Sequence, residues 1–167
     1  MPRRDVVRVG VLSDTHGDEP SILRALARIR QTGGADMLCF LGDCVGDLLI
    51  IRAALTSWER PPVLHAVRGN NDVLARYPDE MLVQAGGKAL LLVHGHLQRV
   101  RTHRLQLVLH AQERGADVAL FGHTHQSECG FEQGVLLLNP GACSGRQPSY
   151  ALLTIAAEEL LPEINRL

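Results

Sequence analysis

Residues 6–16 read Val-Val-Arg-Val-Gly-Val-Leu-Ser-Asp-Thr-His. The apolar, β-branched run at 6–12 predicts a short buried strand that ends at Ser13 and Asp14. A helix is predicted next, over 21–31, because apolar side chains recur there on one face and two glycines follow at 33–34. An acidic and an imidazole side chain, Asp14 and His16, therefore lie where a strand gives way to a helix.

The same arrangement repeats twice in the first half of the chain. An apolar run at 37–41 ends at Gly42 and Asp43, and Asp47 then has the character of an N-cap for a helix through about residue 57. A third run, at 62–67, ends at a glycine followed by Asn70. Strand, helix, strand, helix and strand in succession favour a mainly parallel sheet covered by helices.

The second half is less regular. Glycine pairs or Gln-Gly between apolar runs predict two hairpins, one turning at 86–87 and one at 133–134. A helix is expected over 102–114. The remaining predicted strands are 118–121, 150–156 and a last one from residue 159.

Length and composition exclude several protein classes. The chain has 167 residues, 46% of them hydrophobic and 21% charged, which predicts one folded domain over 1–167 and excludes a disordered chain. A formal net charge of −1 gives no reason to expect a stable nucleic-acid partner or an anionic membrane surface. No G-x-x-x-x-G-K loop and no H-E-x-x-H motif occurs, so the P-loop and zincin classes are also excluded.

The sequence also predicts where the protein resides. Its apolar runs are far shorter than the roughly 20 residues of a membrane span. Residues 1–5 lead into the first strand and do not have the pattern of a signal peptide. The four cysteines show no C-x-x-C spacing, and Cys39 lies in an apolar run, so we expect reduced thiols and a cytoplasmic protein.

Polar residues at the strand ends point to a metal site. Five apolar runs end in or beside a metal-binding side chain next to a glycine; these are Asp14, Asp43, Asn70, His94 and His123. In open α/β sheets, ligands bind beyond the carboxyl ends of the strands. Carboxylate, amide and imidazole ligands without thiolate suit Mn, Fe, Zn or Co, and seven candidates including His16 and His125 suit two ions that share a carboxylate.

Five short motifs follow one another along the chain: Asp14-Thr15-His16, Gly42-Asp43, Gly69-Asn70-Asn71-Asp72, His94-Gly95-His96 and Gly122-His123-Thr124-His125. In this order they resemble the calcineurin-like metallophosphoesterases, most closely the compact bacterial and archaeal phosphodiesterase branch. The resemblance extends from residue 6 to about 155 and includes the turn Asn139-Pro140-Gly141.

The resemblance implies an α/β fold, a four-layer αββα sandwich of two mixed sheets flanked by helices, with the site at the carboxyl ends of the strands. It also implies that one metal is bound by Asp14, His16 and His125. The second would be bound by Asn70, His94 and His123, with Asp43 bridging the two. Mn is the metal that the resemblance favours, while Fe, Zn, Ni and Co remain alternatives.

Our hypothesis from these residues is a binuclear metal-dependent phosphodiesterase, in which a metal-bridging hydroxide attacks a phosphodiester in line. Nucleotide-derived diesters are among the substrates that would fit. Two alternatives stay open: a phosphomonoesterase or nucleotidase on the same site, and a non-catalytic protein-interaction module. The sequence does not decide the oligomeric state, and a homo-oligomer is compatible with it.

One position departs from the wider family. Many members have a proton-donating His directly after the Asn ligand, where this chain has Asn71, which donates a hydrogen bond but delivers no proton. Asn71 and His96 are candidate substrate-binding residues. Asp72 and His96 are included as candidate catalytic residues, although we expect Asp72 to hold the Asn70 loop by hydrogen bonds.

Overall fold

A computed structural model describes residues 6–157 and 159–167, which form two five-stranded mixed sheets and three helices. The predictions for residues 1–5 lie outside the described residues. The helices are α1 (Glu19–Gln31), α2 (Leu48–Leu55) and α3 (Leu105–Glu113). The strands are β1 (Val6–Leu12), β2 (Met37–Phe40), β3 (Val63–Ala66), β4 (Glu80–Ala85), β5 (Lys88–Val93), β6 (Val118–Leu120), β7 (Glu128–Glu132), β8 (Val135–Asn139), β9 (Ser149–Ala156) and β10 (Glu159–Arg166).

Each sheet has parallel strands at its centre or on one side, and antiparallel strands complete it. The first sheet has the order β10-β9-β1-β2-β3, in which β1, β2 and β3 are parallel to one another and β9 is antiparallel to both β1 and β10. The second has the order β4-β5-β6-β8-β7, in which β5, β6 and β8 are parallel. The two predicted hairpins are confirmed as β4–β5 and β7–β8.

Successive side chains of a strand point to opposite faces of its sheet, and this produces four layers. In β1, Val9 and Val11 face the second sheet and pack in an apolar core that both sheets share, whereas Leu12 packs under α1 and α2. Helix α3 covers the outer face of the second sheet through Leu107 and Val108. The expected αββα sandwich is therefore confirmed.

Three local predictions need correction. Helix α1 begins at Glu19, not at residue 21, because the Asp18 carboxylate caps it by accepting from the backbone N–H of Ser21 at 3.1 Å. Helix α3 begins at Leu105, not at residue 102, because the preceding backbone forms turns instead, including a bond from Thr102 N–H to the carbonyl of Arg99. Helix α2 ends at Leu55, two residues before the predicted end at about residue 57.

Two further sequence expectations can be compared with the structure. The four cysteines are free thiols, and Cys39 is fully buried in the core between the sheets, as predicted. Burial raises the pKa of the Cys39 thiol well above its usual range. Within the described residues, no helix combines the length and the apolar character that a membrane crossing requires.

Candidate metal centre

The candidate ligands lie in loops whose backbone adopts an uncommon conformation. Five of them have positive φ angles: Asp14 (53°), His16 (45°), Asp43 (61°), His123 (69°) and His125 (61°). Non-glycine residues rarely adopt this region, and such strained positions concentrate at functional sites. The loops after β1, β2 and β6 are therefore shaped to aim side chains, at some cost to local stability.

One group of ligands surrounds the carboxylate of Asp14. Asp14, His16, Asp43 and His125 each offer one ligand atom, and these atoms all lie within 4.8 Å of one another. Nε2 of His125 lies 3.2 Å from Oδ1 of Asp14 and 3.3 Å from Nε2 of His16. Two buried carboxylates and two exposed imidazoles thus converge on one point.

The Asp14 carboxylate tests whether a cation fits there. Its Oδ2 accepts hydrogen bonds from Ser13 Oγ at 2.6 Å and from the backbone N–H of His123 at 3.0 Å. Its Oδ1 is buried and has no hydrogen-bond partner. Buried carboxylate oxygens are normally paired, so an unpaired one that faces imidazole nitrogens fits a divalent metal ion.

A second group of ligands surrounds the imidazole of His94. Its Nε2 lies 3.0 Å from Oδ1 of Asn70, 3.2 Å from Nδ1 of His123 and 3.5 Å from Oδ2 of Asp43. Its Nδ1 donates a hydrogen bond to the carbonyl of Leu41 at 2.7 Å. That bond leaves the Nε2 lone pair directed at the group, the usual arrangement for a metal-binding imidazole.

Asp43 belongs to both groups and is held on both sides by Asn71. Its Oδ1 accepts from the backbone N–H of Asn71 at 3.0 Å, and its Oδ2 accepts from the Asn71 side-chain amide at 2.8 Å. Burial alone would raise the pKa of the Asp43 carboxyl, but the Asn71 hydrogen bond and the His94 imidazole outweigh it, so this pKa lies below its usual value. Asp43 is therefore ionised at neutral pH.

Two further imidazoles have a lowered pKa. Burial, followed by the neighbouring His94, lowers the pKa of His123 to about 4. The same two causes lower the pKa of His96. Neutral imidazoles at neutral pH keep a lone pair available for a metal or a hydrogen-bond donor.

His123 and His125 are not on a strand. Residues two apart on a strand face the same side, which predicts a common direction for the two side chains, but this prediction is wrong because β6 ends at Leu120 and both residues lie in the loop beyond it. Since both have positive φ, the loop turns between them. His123 consequently reaches His94, while His125 reaches Asp14.

Asp72 is buried under the ligand loops and accepts four backbone hydrogen bonds. One oxygen accepts from Asp43 and Gly69 at 2.8 Å each, and the other from Cys44 and Val45 at 2.9 Å each. It thereby joins the loop after β2 to the loop after β3. This arrangement fits the expected structural task.

Two positioning residues were not recognised in the sequence. Asp47 occupies the N-cap position of α2 but makes no capping bond; its carboxylate accepts from Thr15 Oγ1 and Gly17 N–H instead, at 2.6 and 2.8 Å. Asn139 donates to the carbonyl of Gly122 and to Thr124 Oγ1, at 3.2 and 3.0 Å, and so supports the loop after β6. The Asn-Pro-Gly turn was the available signal for Asn139.

His96 lies beside the ligands rather than among them. Its ring centroid lies 5.4 Å from that of His94 and 6.2 Å from that of His123. Its Nδ1 is buried without a hydrogen-bond partner. The ring also lines a cleft of about 180 Å³ that Asn70 borders.

Gly69 is the position at which the ligand loops approach most closely, which leads to a prediction. A Cβ at Gly69 would lie inside van der Waals contact of Oδ1 of Asp43 and 2.8 Å from its Cγ. We expect Gly69→Ala to displace Asp43, weaken metal binding and lower the free energy of unfolding by about 1–3 kcal/mol. Isothermal titration with Mn²⁺ and urea denaturation measure the two effects.

Gly46→Ala is the matched control for that substitution. Gly46 lies in the same loop as Asp43, and a Cβ there would meet nothing within 4 Å. We expect wild-type metal binding and stability from this variant. Equal behaviour of the two variants would show that Gly69 does not set the position of Asp43.

Comparison with known proteins agrees with this geometry. Residues 7–158 match the calcineurin-like phosphoesterase superfamily domain. The chain is 33% identical over 153 residues to YsnB, a probable metallophosphoesterase of Bacillus subtilis. The alignment covers 89% of this chain and 85% of that protein.

Solved structures share the fold. A predicted phosphoesterase of Streptococcus pneumoniae superposes with a TM-score of 0.77 at 28% identity, covering 96% of this chain and 90% of that one. Two structures of lower identity share the fold alone. An archaeal phosphodiesterase superposes with a TM-score of 0.75 at 23% identity, covering 96% of this chain and 99% of that one. Vps29 of Entamoeba histolytica with Zn²⁺ superposes with a TM-score of 0.71 at 22% identity, covering 95% and 98% of the two chains. The metal-binding side chains that converge beyond the strands and the family match over nearly the whole length lead to one conclusion: this chain belongs to the calcineurin-like phosphoesterase superfamily.

Proposed function

We propose that this metallophosphoesterase is a binuclear phosphodiesterase. The observation that carries the proposal is that two groups of ligand atoms share one carboxylate, that of Asp43. Asp14, His16 and His125 would hold one ion with it, and Asn70, His94 and His123 would hold the second. Oxygen and imidazole donors suit Mn, which we propose as the metal, with Fe, Zn, Ni and Co as alternatives.

The open side of the site is where a substrate would bind. Asp14 and His94 are buried, whereas His16, Asn70 and His125 are exposed, so the ligands themselves border the solvent side. Two divalent ions bound here would polarise the phosphoryl oxygens and generate a nucleophile from water at neutral pH. The chain's own contribution is to hold the loops after β1, β2, β3 and β6 in place through the contacts of Asp47, Asp72 and Asn139.

Asn71 is the residue that favours a diester over a monoester. Its side-chain amide carries no proton that it can transfer, and it is already bonded to Asp43. Departure of a poor leaving group, such as the alkoxide of an alkyl monoester, would therefore receive no proton from this position. His96, whose ring lies beside the ligands, is our proposed substrate contact. The fold shared with an archaeal phosphodiesterase is consistent with this choice.

The test starts from protein stripped with a chelator and titrated with Mn²⁺. We expect two ions per chain, measured by elemental analysis and calorimetry, and faster turnover of bis(4-nitrophenyl) phosphate than of 4-nitrophenyl phosphate. His94→Asn removes one ligand of the proposed second ion. His103→Asn is its control, since His103 is exposed and lies outside both groups of ligands. Faster turnover of the monoester would favour a phosphomonoesterase, and failure to bind metal would favour the non-catalytic module.

The role of Asn71 leads to a separate prediction. We expect Asn71→His to raise the ratio of the alkyl monoester rate to the aryl diester rate by at least about tenfold. This increase is smaller than the ~10²-fold that an established general acid contributes. Steady-state kinetics on both substrates give the ratio. Asn71→Ala removes the bond to Asp43 without adding an acid, so an equal ratio in both variants would contradict the proton-donor argument.

A further inference from the structure

A cleft opens directly beside the candidate metal centre. Its volume is about 180 Å³, and its wall includes Asn70, a ligand of the proposed second ion. His96 lines the same cleft, and its ring lies 5.4 Å from that of His94. A group attached to a phosphorus at the metals would therefore enter this cleft without a long linker.

Two exposed apolar side chains line the cleft alongside its polar residues. Val73 is 72% exposed and Leu97 is 59% exposed, and both line the cleft. Small-molecule sites commonly combine apolar side chains with a few polar groups. Leu74 is the neighbour of Val73 and is 97% exposed, but it does not line the cleft.

The charges in the cleft cancel. Arg68 donates to both carboxylate oxygens of Asp79, from Nε at 2.7 Å and from Nη2 at 3.2 Å. Among the described residues that line the cleft, Arg68 is the only Arg or Lys. Because this cation is paired with a carboxylate, the cleft does not favour a second phosphate or another anionic group.

We propose that this cleft is the subsite for an uncharged, apolar ester group of the substrate, of the size of a phenyl ring. The inference rests on the proposed phosphodiesterase function and names its substrate class: diesters whose second ester group is aryl or a similarly compact apolar group. Cavities of about 150 Å³ lined by apolar side chains accommodate benzene, so the volume suffices. Leu97 and Val73 would contact the ring, and His96 lines the same cleft.

The kinetic test keeps the leaving group constant. Phenyl 4-nitrophenyl phosphate and methyl 4-nitrophenyl phosphate are compared with the Mn-loaded protein. We expect kcat/KM to be about tenfold higher for the phenyl ester, since more apolar surface leaves water. Leu97→Gln should reduce this ratio to about two, whereas Leu74→Gln should leave it unchanged.

A binding test separates the subsite from the reaction. Phenylphosphonate and methylphosphonate are titrated into the Mn-loaded protein by calorimetry, and we expect the phenyl compound to bind more tightly in a manner that depends on Leu97. Diester turnover without a phenyl preference in either measurement overturns the subsite and leaves the phosphodiesterase proposal intact. Tighter, Leu97-dependent binding without diester turnover supports the subsite and overturns the phosphodiesterase. If there is neither diester turnover nor tighter binding of the phenyl compound, both the subsite and the phosphodiesterase proposal are overturned.

Discussion

Asp43→Asn is expected to abolish the binuclear centre and to lower kcat/KM on a diester by more than ~10²-fold. Substitution of residues that only support metal ligands already lowers metal affinity or activity by up to ~10²-fold, so loss of a ligand should cost more. Asp43 is the carboxylate that both ligand groups share, and its pKa lies below its usual value, so the ligand lost is an ionised one. An amide is uncharged and has one acceptor oxygen where the carboxylate has two. Elemental analysis after Mn²⁺ loading should give at most one ion per chain.

Glu113→Gln is the control for this change of one charge. Its side chain is 78% exposed on α3, away from the ligands. We expect two ions and full turnover from this variant. Two ions retained by Asp43→Asn, with a wild-type circular dichroism spectrum, would mean that Asp43 does not bridge.

Asp72→Ala is expected to lower the free energy of unfolding by about 3 kcal/mol. The substitution removes the acceptor of four backbone N–H groups, and hydrogen bonds to a charged group contribute roughly 1.5–3 kcal/mol each, of which water recovers a part. Urea denaturation of the metal-free protein, followed by circular dichroism, measures the loss without a contribution from bound ions.

Asn71→Ala is the matched comparison because it changes the neighbouring residue in the same loop. The described hydrogen bonds of the Asn71 side chain go to Asp43 alone. We expect a loss of about 1 kcal/mol from this variant. Equal destabilisation by the two substitutions would show that Asp72 does not join the two loops as its hydrogen bonds indicate.

Strand positions were predictable where burial is continuous. β1 occupies the predicted range, and both hairpins turn where glycine permits the required backbone. The residue pattern indicated a mainly parallel sheet but not two sheets, because periodicity reports which face is buried and says nothing about pairing order. The two-sheet arrangement followed from the resemblance, and the start of α3 was missed because turns, rather than helix propensity, decide it.

The positions of the candidate ligands could be predicted from the sequence, but the residues that support them could not. Asp14 and His94 end apolar runs, so their place at the strand ends could be inferred from the pattern. Asp47 could not be assigned, because its partners Thr15 and Gly17 are about 30 residues away and the local signal for a helix cap is equally good. The different partners of His123 and His125 depend on two positive φ angles, which spacing alone does not predict.

The distribution of ligands over the two sheets has a consequence for assembly of the protein. Asp14, Asp43 and Asn70 follow strands of one sheet, whereas His94 and His123 follow strands of the other. A bound ion would therefore act as a non-covalent cross-link between two sheets that otherwise meet through an apolar core and a few hydrogen bonds at the site. Neither half alone carries a complete set of ligands, so a fragment ending before β5 would have the acidic ligands and no partner imidazoles from the second sheet.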